Sequence, residues 1–300
     1  MIAAFPADAL RLLAEGARAG VAGTLVTLTA IAGSSSRSIG TQMAVLADGR
    51  TVGSFSGGCV ERAVIEEAQA VLEGGEPRTV RYGSGSPYID LRLPCGGGID
   101  LLFTPRPDSA AIDAVLAALH RREAAVLDLG TWRQEYRPAP RLLAFGHGED
   151  LVALVRLARA WGLEVEAFAP ETDLHRTDGI RPMKMRERLP DVAGDAWTAV
   201  TFLFHDRDWE EFLLPQALAL PAYYHGAVGS RRTHRARVQT LRAAGVPEGR
   251  IAALRGTIGL IPGTRDPATL ALSILAEVVQ DYHACAGARQ WTGHAVAHVL

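Results

Sequence analysis

The sequence predicts an α/β protein: a small N-terminal α+β domain followed by a domain built on a parallel sheet. Three observations carry that expectation. The first half holds short strand-like runs around an Asp48-Gly49 turn, set between helical stretches. Arg137-Pro138-Ala139-Pro140 is the most linker-like piece, because prolines ahead of a new apolar run favour an extended connection. From Arg141 onward strand, glycine turn and helix recur in that order, the signature of a parallel sheet with crossover helices. The expected boundaries are 1–137, 138–283 and a tail at 284–300, and 300 residues suits about two domains.

The elements follow in order. Pro6 to Ala19 has helical periodicity, with Leu10, Leu13 and Ala17 on one face and Gly20 at its end. Gly23 to Ala32 alternates Leu25, Val26, Leu28 and Ile31 with threonines and reads as a strand. A hydroxyl-rich loop, Gly33 to Gly40, comes next. Gln42 to Leu46 and Thr51 to Phe55 are strands flanking the Asp-Gly turn, and a helix from Val60 to Leu72 is closed by Gly74-Gly75. Pro77 to Tyr82, Ile89 to Leu93, Ile99 to Phe103 and Ala124 to Leu129 read as strands, with a helix from Asp108 to His120. In the second half Leu142 to Phe145, Leu163 to Phe168, Thr198 to Phe204 and Ala222 to His225 are the expected strands. Asp266-Pro267 is an N-cap followed by proline at the first helical position, opening a helix to about Tyr282.

Composition narrows the class. With 48% hydrophobic and 21% charged residues the chain can bury ordinary cores. A formal net charge of −2 argues against nucleic acid or an anionic membrane as the main partner. No apolar stretch nears the roughly 20 residues of a membrane span, and Met1 to Gly20 lacks the basic start of a signal peptide. Three cysteines in a chain of this length do not make a disulfide framework, which suits a reduced, cytoplasmic protein.

Two of those cysteines sit against glycine pairs, in Ser56-Gly57-Gly58-Cys59-Val60-Glu61 and Pro94-Cys95-Gly96-Gly97-Gly98. Glycine pairs let backbone N–H groups approach a ligand, and a thiolate is a soft nucleophile or metal ligand. Cys59 stands at an expected helix N-terminus, where the dipole favours an anion; the competing reading is a small buried hydrophobe. Cys95 stands on a flexible turn, either presented to a ligand or incidental. Neither belongs to a Cys-x-x-Cys pair and no histidine has companion spacing, which disfavours structural zinc. The loop Gly33-Ser34-Ser35-Ser36-Arg37-Ser38-Ile39-Gly40 offers hydroxyls, amides and a guanidinium for an oxyanion, or is a polar surface turn.

In the second half, Phe145-Gly146-His147-Gly148 leads from strand to helix in the style of a dinucleotide turn. Leu151 occupies the third glycine position, and Glu149 and Asp150 place negative charge where a pyrophosphate would sit. Gly226 to Arg232 is a second such turn, in which Ser230, Arg231 and Arg232 either hold an anion or form an N-cap with solvated arginines. His205-Asp206 closes a strand where open α/β sheets keep functional residues, and Gly256 to Gly263 is one more glycine-rich loop near that edge.

These motifs together resemble the XdhC/CoxI family. Gly33-Ser34-Ser35-Ser36-Arg37, the Asp48-Gly49 hairpin, Ser56 to Glu61 and Cys95-Gly96-Gly97 are similar to its N-terminal domain. Gly226 to Arg232, Gly259-Leu260 and the run from Pro267 through Ala271-Leu272-Ser273-Ile274 to Ala276-Glu277 are similar to its Rossmann-like C-terminal domain. The resemblance spans roughly Gly23 to Tyr282. It implies an accessory protein, a chaperone more than an enzyme, that binds molybdenum cofactor (molybdopterin) and protects it during sulfuration. It further implies delivery to a molybdenum hydroxylase apo-enzyme such as xanthine dehydrogenase, with a cysteine desulfurase as sulfur source and a homodimer by analogy. The implied cofactor-binding residues are Ser34, Ser35, Arg37, Gly57, Gly58, Cys59, Glu61, Cys95, Gly96 and Gly97, with Cys59 and Cys95 as the molybdenum contacts. In the second domain they are Gly146, Gly148, His205, Gly229, Ser230, Arg231, Arg232 and Gly259. The chain departs from the family at Ser36, where proline is usual, after Gly148, and at Leu254-Arg255-Gly256-Thr257, where His-Ala-Pro is common. The last two departures weaken the second-domain site, so the first domain is the expected cofactor site. Two alternatives stand beside this: an NAD(P)-binding oxidoreductase built on the second domain, and a scaffold with no small ligand.

Overall fold

The computed structural model describes residues 7–58, 60–86, 96–171, 179–204 and 208–287. The chain divides into two compact units on either side of Pro138 and Ala139.

The first unit is built on a five-stranded antiparallel sheet of order β3-β2-β1-β5-β4. Its elements are α1 (Ala7–Arg18), β1 (Gly23–Ala32), β2 (Gln42–Leu46), β3 (Thr51–Val52), α2 (Glu61–Gly74), β4 (Arg78–Gly83), β5 (Gly98–Pro105) and α3 (Ser109–His120), with a separate hairpin of β6 (Ala125–Asp128) and β7 (Arg133–Tyr136). The bounds of β1 and β2 match those expected. The strand expected over Thr51 to Phe55 shrinks to two residues because Gly53 turns away at φ +106, where an added Cβ would stand 2.4 Å from the Gln42 carbonyl oxygen. The strand expected over Ile89 to Leu93 lies outside the described residues.

Both faces of this sheet are covered. On one face Leu25, Ala44, Leu46 and Leu102 pack with Leu10 and Leu13 of α1, Ile112 and Val115 of α3, and Tyr136. On the other face Val26, Leu28, Met43 and Phe103 pack with Val64, Ala68 and Val71 of α2. Thr24 and Thr27 of β1 are therefore buried, and each polar atom needs a partner. The Thr24 hydroxyl donates to the Ala68 carbonyl at 2.8 Å. The Thr27 hydroxyl accepts from Gln42 Nε2 at 2.9 Å, and Gln42 Oε1 in turn accepts from the Tyr136 hydroxyl at 2.5 Å.

The second unit is a six-stranded parallel sheet of order β10-β9-β8-β11-β12-β13. Its strands are β8 (Arg141–Gly146), β9 (Glu164–Pro170), β10 (Arg181–Met183), β11 (Thr198–Leu203), β12 (Tyr224–Ala227) and β13 (Leu254–Gly256). Counted within the unit this is 3-2-1-4-5-6, the doubly wound order whose switch point lies between β8 and β11. Helices α4 (Gly148–Trp161) and α8 (Pro267–Gly287) cover one face through Leu154, Val155, Ile274 and Val278. Helices α5 (Glu210–Ala217), α6 (Arg231–Ala243) and α7 (Glu248–Ala253) supply Leu213, Leu214, Leu241 and Ile251 to the other. The strand expected over Ala222 to His225 is displaced to Tyr224–Ala227, and α8 continues past Tyr282. No helix among the described residues is long and apolar enough to cross a membrane.

Candidate functional site

Antiparallel pairing decides where the motif loops of the first unit fall. Ala32, the last residue of β1, pairs with Gly98, the first of β5; Gln42 opens β2 opposite Thr27; Val52 closes β3 opposite Ala44. The described residues of 33–41, 53–58, 60 and 96–97 therefore gather at one end of the sheet. Three loops far apart in sequence become neighbours.

Side-chain contacts lock two of these loops together. The Ser36 hydroxyl donates to the Phe55 carbonyl at 3.1 Å, and Arg37 Nε donates to the Ser54 carbonyl at 3.1 Å. That second bond orients the exposed guanidinium and leaves its two terminal nitrogens without a partner among the described residues. Ser35 accepts from the Arg37 amide at 3.2 Å, folding the loop on itself. The third loop closes against the first. A Cβ on Gly97 would stand 2.2 Å from the Ser34 carbonyl oxygen, so only glycine fits. Gly57, Gly58 and Gly96 are exposed at φ +75, +132 and +68, and open space surrounds the Cβ each lacks.

Glu61, the first residue of α2, organises the segment 54–60 around its carboxylate. Oε1 accepts from the Ser54 hydroxyl at 2.8 Å and from the amides of Phe55 and Ser56 at 2.9 and 2.7 Å. Oε2 accepts from the Ser56 hydroxyl at 2.8 Å and from the amides of Gly58 and Val60 at 2.7 and 3.2 Å. Partial burial opposes ionisation here, but the amide and hydroxyl of Ser56 and the hydroxyl of Ser54 outweigh it, and the carboxyl is lowered from 4.5 to about 2. The Gly57 amide is used as well, donating to the Ser54 hydroxyl at 3.1 Å.

The structure thus brings Ser34, Ser35, Arg37, Gly57, Gly58, Glu61, Gly96 and Gly97 to one sheet end. Cys59, Cys95 and His205 lie outside the described residues. Among the described residues no group of three or more His, Cys, Asp and Glu is placed to hold a metal ion.

In the second unit Gly146, Gly148, Gly229, Ser230 and Gly259 serve local structure. Gly146 lets β8 lie against β11, since a Cβ there would be 2.7 Å from the Leu203 Cβ. Gly148 opens α4 at φ +72, and Leu151, at the third glycine position, is 1% exposed in the core. Ser230 is the N-cap of α6, accepting from the Thr233 amide at 3.1 Å, after Gly229 at φ +138. Arg231 and Arg232 are exposed on its first turn. The Gly259 amide donates to Glu277, and the Ser273 hydroxyl accepts from the Ile261 amide at 2.7 Å, so α8 pins this loop.

Sequence reasoning missed a buried ion pair under the β12–α6 turn. Arg237, 3% exposed, donates from Nε and Nη2 to Glu210 at 3.0 and 2.7 Å and from Nη2 to the Val228 carbonyl at 2.9 Å. Its signal was the spacing of Arg237 and Leu241, which share the buried face of α6.

Fold and site together define a two-unit protein: glycine-rich loops gathered at one end of an antiparallel sheet, followed in the chain by a Rossmann-type domain. Residues 16–83 match the XdhC and CoxI family model, and residues 142–278 match that of the XdhC Rossmann domain. The chain belongs to the XdhC and CoxI family. It is 35% identical over 289 residues to the molybdenum cofactor insertion chaperone PaoD of Escherichia coli (strain K12), covering 90% of this chain and 86% of that protein. It is 24% identical over 315 residues to a probable xanthine dehydrogenase component of Bacillus subtilis (strain 168), covering 85% and 92%. The fold is shared with a solved structure described as a xanthine dehydrogenase from Bacillus halodurans, at a TM-score of 0.72 and 21% identity over 96% of this chain and 98% of that one.

Proposed function

We propose that this protein binds molybdenum cofactor in its first unit, protects it during sulfuration and hands it to an apo-enzyme of the xanthine dehydrogenase type. The observation that carries this is the gathering of the three motif loops at one sheet end, with Arg37 fixed by Ser54 and its terminal nitrogens unpartnered among the described residues. The residues fit such a cargo. Arg37 meets the anionic parts, the open faces of Gly57, Gly58 and Gly96 admit a bulky ligand, and the two cysteines next to them in sequence supply soft sulfur for molybdenum. The relative named as a molybdenum cofactor insertion chaperone supports the same reading. A cysteine desulfurase as sulfur source, a homodimeric state and a cytoplasmic location belong to the proposal.

An NAD(P)-dependent oxidoreductase is the second reading, favoured by the strand order of the second unit. Against it, Glu149 and Asp150 stand on the first turn of α4, where a pyrophosphate would be repelled.

The test is to mix purified protein with free molybdenum cofactor, separate the two, and assay the retained pterin. Retention by the wild type and its loss in Cys59→Ala and Cys95→Ala are expected. Wild-type retention in both variants would remove the thiol role; no retention by the wild type would favour a scaffold. Thermal stabilisation by NADH would favour the oxidoreductase.

A further inference from the structure

Four amides converging on one point normally describe a place for a ligand's phosphate or other oxyanion. In the segment 54–60 they converge on the chain itself. Phe55, Ser56, Gly58 and Val60 give their N–H groups to Glu61, two hydroxyls complete the shell, and the Gly57 amide is spent on Ser54. Two consequences follow. None of these five amides is left to bind cargo. And the path of the chain through Gly57 and Gly58, both at positive φ, is fixed from the start of α2 by one side chain.

We propose that Glu61 is a positioning residue: an internal anion that fills the amide cradle, fixes the backbone of Gly58 and Val60, the sequence neighbours of Cys59, and leaves the anionic parts of the cargo to Arg37. The proposal rests on the cofactor reading for its cargo alone. Glu61 therefore departs from the role of direct cofactor contact, and the Gly57 and Gly58 amides depart with it; these glycines contribute backbone shape and open space.

Truncation gives a readout that a merely structural side chain would not. Glu61→Ala leaves a vacant cradle of donors, which a small carboxylate added to the buffer can fill. Amide hydrogen exchange at Ser56 and Gly58 is expected to accelerate in Glu61→Ala by about tenfold or more, the scale of losing hydrogen bonds to a charged acceptor. The rate of Cys59 alkylation should change with it. Millimolar acetate should restore both towards wild type, and cofactor retention should fall in the variant and recover with acetate. Unchanged exchange at Ser56 and Gly58 would overturn the proposal. So would accelerated exchange that acetate does not reverse, or accelerated exchange with wild-type Cys59 reactivity and cofactor retention. Where Glu61→Ala does not fold, Glu61→Gln decides the point: faster exchange at Ser56 and Gly58 than in wild type supports it, and equal exchange refutes it. A wild-type protein that retains no cofactor would overturn the cargo reading alone, because exchange and alkylation are measured without cargo.

Discussion

Replacing Glu61 by glutamine keeps the side chain's size and removes its charge, so its effect on stability must follow the carboxyl's ionisation. The carboxyl stands at about 2 in the folded chain against an ordinary 4.5. A lowered folded-state value means that folding favours the ionised form. The associated stability is complete above the unfolded value and drains away as pH falls from about 4.5 towards 2. At about 1.4 kcal/mol per unit the full difference would be near 3 kcal/mol; Glu61 is only half-buried, and solvent screening reduces this to about 1–2 kcal/mol. For a unit of this size that corresponds to a melting temperature lower by about 3–6 °C at neutral pH. Thermal unfolding of wild type and Glu61→Gln should be followed at steps from pH 7 down to pH 3. The gap should be widest at neutral pH and close progressively below about pH 4.5. A gap that is constant with pH, or that widens on acidification, would refute the linkage, because either would mean that charge is not what the amides of Ser56 and Gly58 read.

Two further outcomes are expected. Gly97→Ala drives a Cβ to within 2.2 Å of the Ser34 carbonyl oxygen and 3.0 Å of that of Ala32, both backbone atoms that cannot rotate away. It should destabilise the first unit by about 2 kcal/mol or more, read by thermal melting, and expose the 33–40 loop to limited proteolysis. Arg237→Met removes the bidentate guanidinium from Glu210, whose side chain is 5% exposed. It should cost about 3–5 kcal/mol in urea unfolding, and adding Glu210→Leu should recover most of that, since a buried carboxylate that has lost its guanidinium partner carries the penalty.

Much of this fold was legible because glycines and turn residues punctuate it. Gly23 and Gly33 bracket β1, and Asp48-Gly49 lies between β2 and β3. Three of the short strands, β7, β10 and β13, were not legible. β7 reads Arg-Gln-Glu-Tyr, in which only Tyr136 is buried, and β10 and β13 are three-residue edge strands held by parallel pairing that no local period announces. Covered strands hide their polar residues in the same way. Thr24 and Thr27 look like the wet side of an alternating strand, yet both are 0% exposed, because α2 and the Gln42–Tyr136 pair meet them.

The candidate site shows why motif reading stops one step short of mechanism. A glycine pair beside a cysteine states that amides are available and that backbone can turn; it does not state which acceptor those amides have found. In this chain the acceptor lies a short way further along, and the sequence Ser-Phe-Ser-Gly-Gly-Cys-Val-Glu already contains every donor and the acceptor. Direction is the missing information, and it comes from α2 starting at Glu61, which turns the carboxylate back over the loop. The same logic separates Ser230 from Arg37. Both are polar residues in glycine-flanked loops, but Ser230 spends its oxygen on the Thr233 amide, whereas Arg37 spends only Nε and keeps a fixed face with no partner among the described residues. Capacity for a ligand is what remains after the chain has satisfied itself, and by that measure Arg37 is the cationic contact we propose for the cargo.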